Sequence, residues 1–192
     1  TPGSVGGTVQ LLGNYVGLVG RATVDASGSA GGGTILIGGD LHGANSAVRD
    51  AARTYVGQDV TLGADGVESG NGGTIIVWSN LSTQFAGSIH ATGGSLEGNG
   101  GFLEVSSRNI LQFQGHVDTR ASSGHAGMLL LDPTDLTINN KSDANINGAT
   151  PFVPTGKNSV LTWATIKSAL SSGDVLVTTS GSPNTKGETG LI

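Results

Sequence analysis

The 192 residues contain no cysteine, which excludes a disulfide framework and any thiolate metal site. Charge is scarce. Only 12% of residues are charged, and nine Lys and Arg stand against fourteen acids for a formal net charge of -5. A chain with so few and so scattered cations is a poor nucleic-acid ligand. No apolar run approaches the roughly 18 residues a membrane-spanning helix needs. The opening TPGSVGG carries neither the basic nor the apolar stretch of a signal peptide. It starts on Thr1 rather than Met, so a mature chain or a fragment is expected. Disorder is also excluded, because 36% of residues are hydrophobic and Val, Ile and Leu fall in ordered clusters.

Glycine is what the chain has in excess: 34 residues, where a usual share of roughly 7% would give far fewer. The glycines follow no G-X-Y period, so the chain is not collagen-like. They punctuate a repeat instead. GGTVQLL (Gly6 to Leu12), GGTILIG (Gly32 to Gly38), GGTIIVW (Gly72 to Trp78) and GGFLEVS (Gly100 to Ser106) each join a glycine pair to a short apolar strand. AGMLLLD (Ala126 to Asp132) is a degenerate fifth copy, and successive copies are 26, 40, 28 and 26 residues apart. A second register lies inside each unit, at Gly20, Gly57, Gly87 and Gly115.

Within the units apolar residues alternate, as in half-buried strands. Ile75 and Val77 point one way, and Thr74, Ile76 and Trp78 the other. Ile89 and Ala91 match Val117 and Thr119 inward, while His90 and Asp118 face outward. One such unit cannot bury its own apolar face, but stacked units can, because each strand pairs with its equivalent in the next coil. The expected fold is all-β: a right-handed parallel β-helix of five to seven coils. At about 4.8 Å per coil the rod would be roughly 25–35 Å long.

Residues 1–138 form these coils, with a loop insertion at about 42–57 that accounts for the 40-residue step. Asn45 or Ser46 could cap a short helix in it, with Val48, Ala52 and Tyr55 on one side. Residues 139–192 are expected to hold a loop, a short helix over Thr162 to Ser171 and further strands. Trp163, Ile166, Ala169 and Leu170 form the apolar stripe of that helix, and Gly173 suits a left-handed residue after it. The chain stops on Leu191-Ile192 with no polar terminator, so both ends are expected to be open and to favour self-association, head to tail or through neighbouring coils of a longer chain.

The succession GGTILIGGDLHG, ARTYVGQDVTLGADG, NGGTIIVWSNLSTQFAGSIHATGG, NGGFLEVSSRNILQFQGHVDTRA and GMLLLDPTDLTI resembles the filamentous-haemagglutinin-type exoproteins, the two-partner secretion adhesins of Gram-negative bacteria. The resemblance runs from about Gly31 to Ile138. It implies a β-helical shaft that is secreted or held at the cell surface, exported through an outer-membrane partner, with host-cell or matrix glycans among its contacts. The NPNG-like and NxxG-type signals of that family's secretion domain have no counterpart here, which suits a shaft or distal piece.

Parallel β-helices also house polysaccharide-degrading enzymes, which need clustered carboxylates. Asp118 with Arg120, Asp132 with Asp135, and His90 stacked near Asp118 are the candidates, against the plainer reading that outward polar residues on a solenoid face water. GADGVESGNGG, with Asp65, Glu68 and Asn71, lacks the spacing of a calcium loop. His42, His90, His116 and His125 share no metal-ligand spacing. The expectation is therefore a non-enzymatic shaft with no catalytic residue, cofactor or metal; a polysaccharide-binding or polysaccharide-degrading β-helix is the alternative. Phe85 and Phe113 are expected to stack as a ladder. Trp78, on the face opposite the core, is the candidate contact for a glycan or partner.

Overall fold

The computed structural model describes residues 3–133, 136–139 and 159–177. They form three parallel sheets stacked around one core. The first sheet holds β1 (Thr8–Leu11), β4 (Thr34–Ile37), β7 (Thr74–Val77), β10 (Phe102–Val105), β13 (Met128–Leu131) and β16 (Asp174–Val177), in that order. The second runs β2 (Tyr15–Leu18), β5 (Arg53–Val56), β8 (Ser82–Phe85), β11 (Ile110–Phe113), β15 (Ser159–Thr162) and β14 (Leu136–Asn139). The third runs β3 (Thr23–Asp25), β6 (Thr61–Gly63), β9 (Ser88–His90) and β12 (His116–Asp118). From β1 to β13 each strand pairs in parallel with its equivalent one turn on, as in a parallel β-helix with six levels in its first sheet.

The glycine-pair register is the true one. Thr8, Thr34, Thr74, Phe102 and Met128 share a column. Ile35, Ile75, Leu103 and Leu129 stack in the core beside Val77, Val105 and Leu131. The first glycine of each pair is forced by packing. A Cβ on Gly72 would strike the Ala91 carbonyl and lie 2.6 Å from the Gly101 nitrogen, and Gly32 and Gly100 are confined in the same way. Phe85 and Phe113 form the expected ladder, with ring centroids 5.5 Å apart and planes 17° from parallel.

The second glycine register holds only in part. Ser88 pairs with His116 as the Gly87–Gly115 match requires, but Thr61 pairs with Ser88. Val60, not Gly57, is therefore level with Gly87. The corner between second and third sheets has four residues in the first two levels (19–22 and 57–60) and two in the next (86–87 and 114–115).

Three other expectations change. The insertion spans residues 38–52, where the next level has only 78–81, and Arg53–Val56 are strand rather than loop. Thr54 and Val56 bury on the period of a strand, and this outweighs the helical spacing of Val48, Ala52 and Tyr55. The insertion holds only a 3₁₀ turn at Leu41–Gly43, capped by the Asp40 carboxylate. The C-terminal order is not a simple spiral, since β14 pairs outside β15, which itself pairs with β11. Helix α1 (Trp163–Leu170) forms where expected and packs on β12, covering the last described strand of the third sheet. Ile166 enters the core, but Leu170 is 53% exposed. Gly173 is not left-handed; its Cβ would meet the Thr119 hydroxyl, whose Oγ1 donates to the Ser172 carbonyl at 3.1 Å. The expected strand start at Leu191-Ile192 lies outside the described residues, as does Asp135.

Candidate functional site

Trp78 does leave the core side of its strand, as expected, yet it is 0% exposed. The insertion folds back over the outer face of the first sheet and builds a second small core of Leu36, Ile76 and Trp78, with Val48 and Phe102 against it. Gly43 is left-handed (φ 58), and a side chain there would strike the indole nitrogen. Trp78 is thus the floor of the insertion and has no free face for a glycan or partner.

Beside this floor lies a group of acids. Leu36, Ile76, Glu104 and Leu130 share one outward column of the first sheet, so Glu104 is a lone charge in an apolar row. It is 0% exposed, as is Asp132. His42 bridges them. Its backbone N–H donates to the Glu104 carboxylate (3.2 and 3.4 Å), and its Nδ1 lies 3.0 Å from Asp132 Oδ2 and 3.7 Å from Glu104 Oε1. His42 holds a left-handed backbone (φ 56, ψ 12), an uncommon conformation for a non-glycine residue. The Asp132 N–H donates to Ser106 Oγ at 3.0 Å. Asp50, on the far side of the insertion, sits near the indole; burial raises its carboxyl above the ordinary range, against the pull of Asn80 and Arg108.

Burial also pushes the Glu104 carboxyl up to about 7, opposed by the His42 N–H and the Ser106 hydroxyl and assisted by the Asp132 charge. A carboxyl pair and an imidazole can in principle exchange a proton, but these carboxyls have no exposed surface. Their bonds close the insertion onto the outer face of the first sheet. The geometry is that of a clasp rather than an open catalytic pair.

The pH consequence has a definite sign. A carboxyl that holds its proton more tightly when folded stabilises fully below its unfolded value of 4.5, and that contribution is lost as pH rises through about 7. The melting temperature is expected to fall between pH 5 and pH 8. Glu104→Gln keeps an acceptor for the His42 N–H but cannot ionise. It should match the wild type at pH 5 and exceed it at pH 8, by on the order of 2–3 kcal/mol. Thermal melts at the two pH values check this; a variant destabilised equally at both would contradict it.

The register does bring His90 level with Asp118, but each takes another partner. His90 Nδ1 lies 2.7 Å from Asp65 Oδ2, and its ring sits over Gly63, where a Cβ would come 2.5 Å from Cε1. Asp65 also accepts from the Thr92 N–H and hydroxyl. The hydrogen bond to Asp65 holds the His90 imidazole above its usual value, a second source of stability lost as pH rises above 6.5. Asp118 is paired with Arg120 at 2.5 Å. Of the remaining calcium-loop candidates, Asn71 Oδ1 accepts the Asn99 N–H, and Asn99 in turn accepts the His125 N–H. These are turn ladders. No group of three or more His, Asp or Glu suited to a metal ion occurs among the described residues.

No protein-family model matches the chain, and no match to it is found among curated proteins.

His42 and Glu104 escape a reading of outward polar residues, because nothing local says that a loop 62 residues away will close over Glu104. The usable signal was the apolar column itself: a Glu where equivalent strands carry Leu36 and Ile76.

Proposed function

We propose that this chain is a non-enzymatic length of shaft from a secreted bacterial surface adhesin or extracellular filament. The observation that carries the reading is the continuous column of the first sheet, from Thr8 through Thr34, Thr74, Phe102 and Met128 to Asp174. In that sheet each strand pairs in parallel with the one a level before it, so length is carried by repeated backbone pairing. The resemblance to filamentous-haemagglutinin-type exoproteins supports export through an outer-membrane partner. The outer edges of β1, β2 and β3 are unpaired among the described residues. Neighbouring coils of a longer chain, or a second copy, would complete them.

One observation favours a second reading, a polysaccharide-degrading β-helix: Glu104, Asp132 and His42 gather two carboxyls and an imidazole in one place. Incubation with uronans and neutral polysaccharides, with and without calcium, separates the two. The shaft reading expects no new reducing ends or unsaturated products. Turnover abolished by Glu104→Gln or Asp118→Ala would establish the enzyme.

A further inference from the structure

The chain has two tyrosines, and both stand on the outer face of the second sheet in adjacent strands. Along β5 the inward residues are Thr54 and Val56, so Arg53 and Tyr55 face outward. The register sets Tyr15 against Arg53 and Gly17 against Tyr55. Tyr15 and Tyr55 are thus diagonal neighbours on one face of a parallel pair, about 8 Å apart at their Cα atoms by strand spacing and rise. Tyr15 is 71% exposed.

The space over Gly17 is open, since a Cβ built there meets nothing within 4 Å, and the Tyr55 ring leans the other way, over Gly57, where a Cβ would come 3.5 Å from its Cε1 and hydroxyl. Beside the ring is a cleft of about 200 Å³ lined by Val19, Gly20, Tyr55, Gly57, Gln58, Asp59 and Ala86. Its origin is the change of corner length. The four-residue corner 57–60 is two residues longer than the neighbouring corner 86–87, and Gln58 and Asp59 stand exposed on it.

We infer that this cleft and the two tyrosines form a binding site for a neutral oligosaccharide. A sugar ring has an apolar C–H face and a rim of hydroxyls. Tyr55 offers a rigid aromatic surface in the wall of the cleft, at small entropic cost. Gln58 and Asp59 offer an amide and a carboxylate at the rim, where hydroxyl groups would donate and accept. Tyr15 lies where the next sugar along the chain would reach. A polyanionic glycan is disfavoured by Asp59 at the mouth and by the net charge of -5. The site takes its biological setting from the shaft reading, whereas its geometry stands without it.

The test uses the whole chain and three probes: cellotetraose, maltotetraose and chitotetraose. Binding is followed by tyrosine fluorescence and by calorimetry. At least one probe is expected to bind, and Tyr55→Ala should weaken it about tenfold or more. Gly17→Leu adds a side chain into the open space on the outer face between Tyr15 and the cleft. It should weaken binding similarly while leaving the melting temperature unchanged. Absence of binding by all three probes would overturn the inference, as would binding that both variants leave intact, or binding of uronate oligosaccharides alone. None of those results bears on the shaft. Hydrolysis of a probe would instead overturn the non-enzymatic reading while leaving the binding site in place.

Discussion

Gly72→Val is expected to abolish cooperative folding. The glycine lies at a middle level, pressed between the Ala91 carbonyl and the Gly101 nitrogen. Any side chain there must push one coil off the next. Neither neighbour is a flexible side chain that could turn aside, so the strain falls on backbone hydrogen bonds of two levels, including Gly73 N–H to Ala64 O at 2.7 Å and Gly101 N–H to Ala91 O at 2.8 Å. The loss should exceed about 4–5 kcal/mol, the range that marks a disrupted core or backbone. Far-UV circular dichroism and a thermal melt read it directly. Gly17→Ala is the control, because its site is open and its strand continues undisturbed. A Gly72→Val protein that melts cooperatively within a few degrees of the wild type would refute the close packing of the glycine column.

Phe113→Ala should be the most damaging simple truncation. Its ring is 2% exposed and stacks on Phe85, which is 1% exposed, at the centre of the core. Removing it deletes apolar burial, leaves a cavity and strips one face of Phe85, for about 3–5 kcal/mol. In a chain of this size that is a fall of roughly 6–20 °C in melting temperature. A shift of under about 2 °C would mean that the ladder does not carry the core.

The first sheet was legible because its signal is local and repeated: a glycine pair, then alternating apolar residues. The third sheet was only partly legible. Gly57 and Gly87 look equivalent, but the corner before β6 is two residues longer than the corner before β9. The alternation Thr61-Leu62-Gly63 against Ser88-Ile89-His90 was the better guide, because inward side chains fix the register and corner glycines do not. For Trp78 the direction of the side chain was readable and its burial was not. Direction follows from the period of its own strand; burial depends on residues 38–52 folding back. The same non-local event hid the clasp, since Glu104 in FLEV looks solvent-facing until His42 arrives above it. The sugar cleft was hidden for a related reason. It arises from a mismatch between successive corners, which a search for regular repeats discards.

The most direct test of the shaft reading is where the chain sits on the cell that makes it. Antibodies raised to the 192-residue chain, applied as immunogold to intact, unpermeabilised cells of the source organism, should label the surface or filaments extending from it. Labelling that appears only after permeabilisation would place the chain inside the cell and contradict the account.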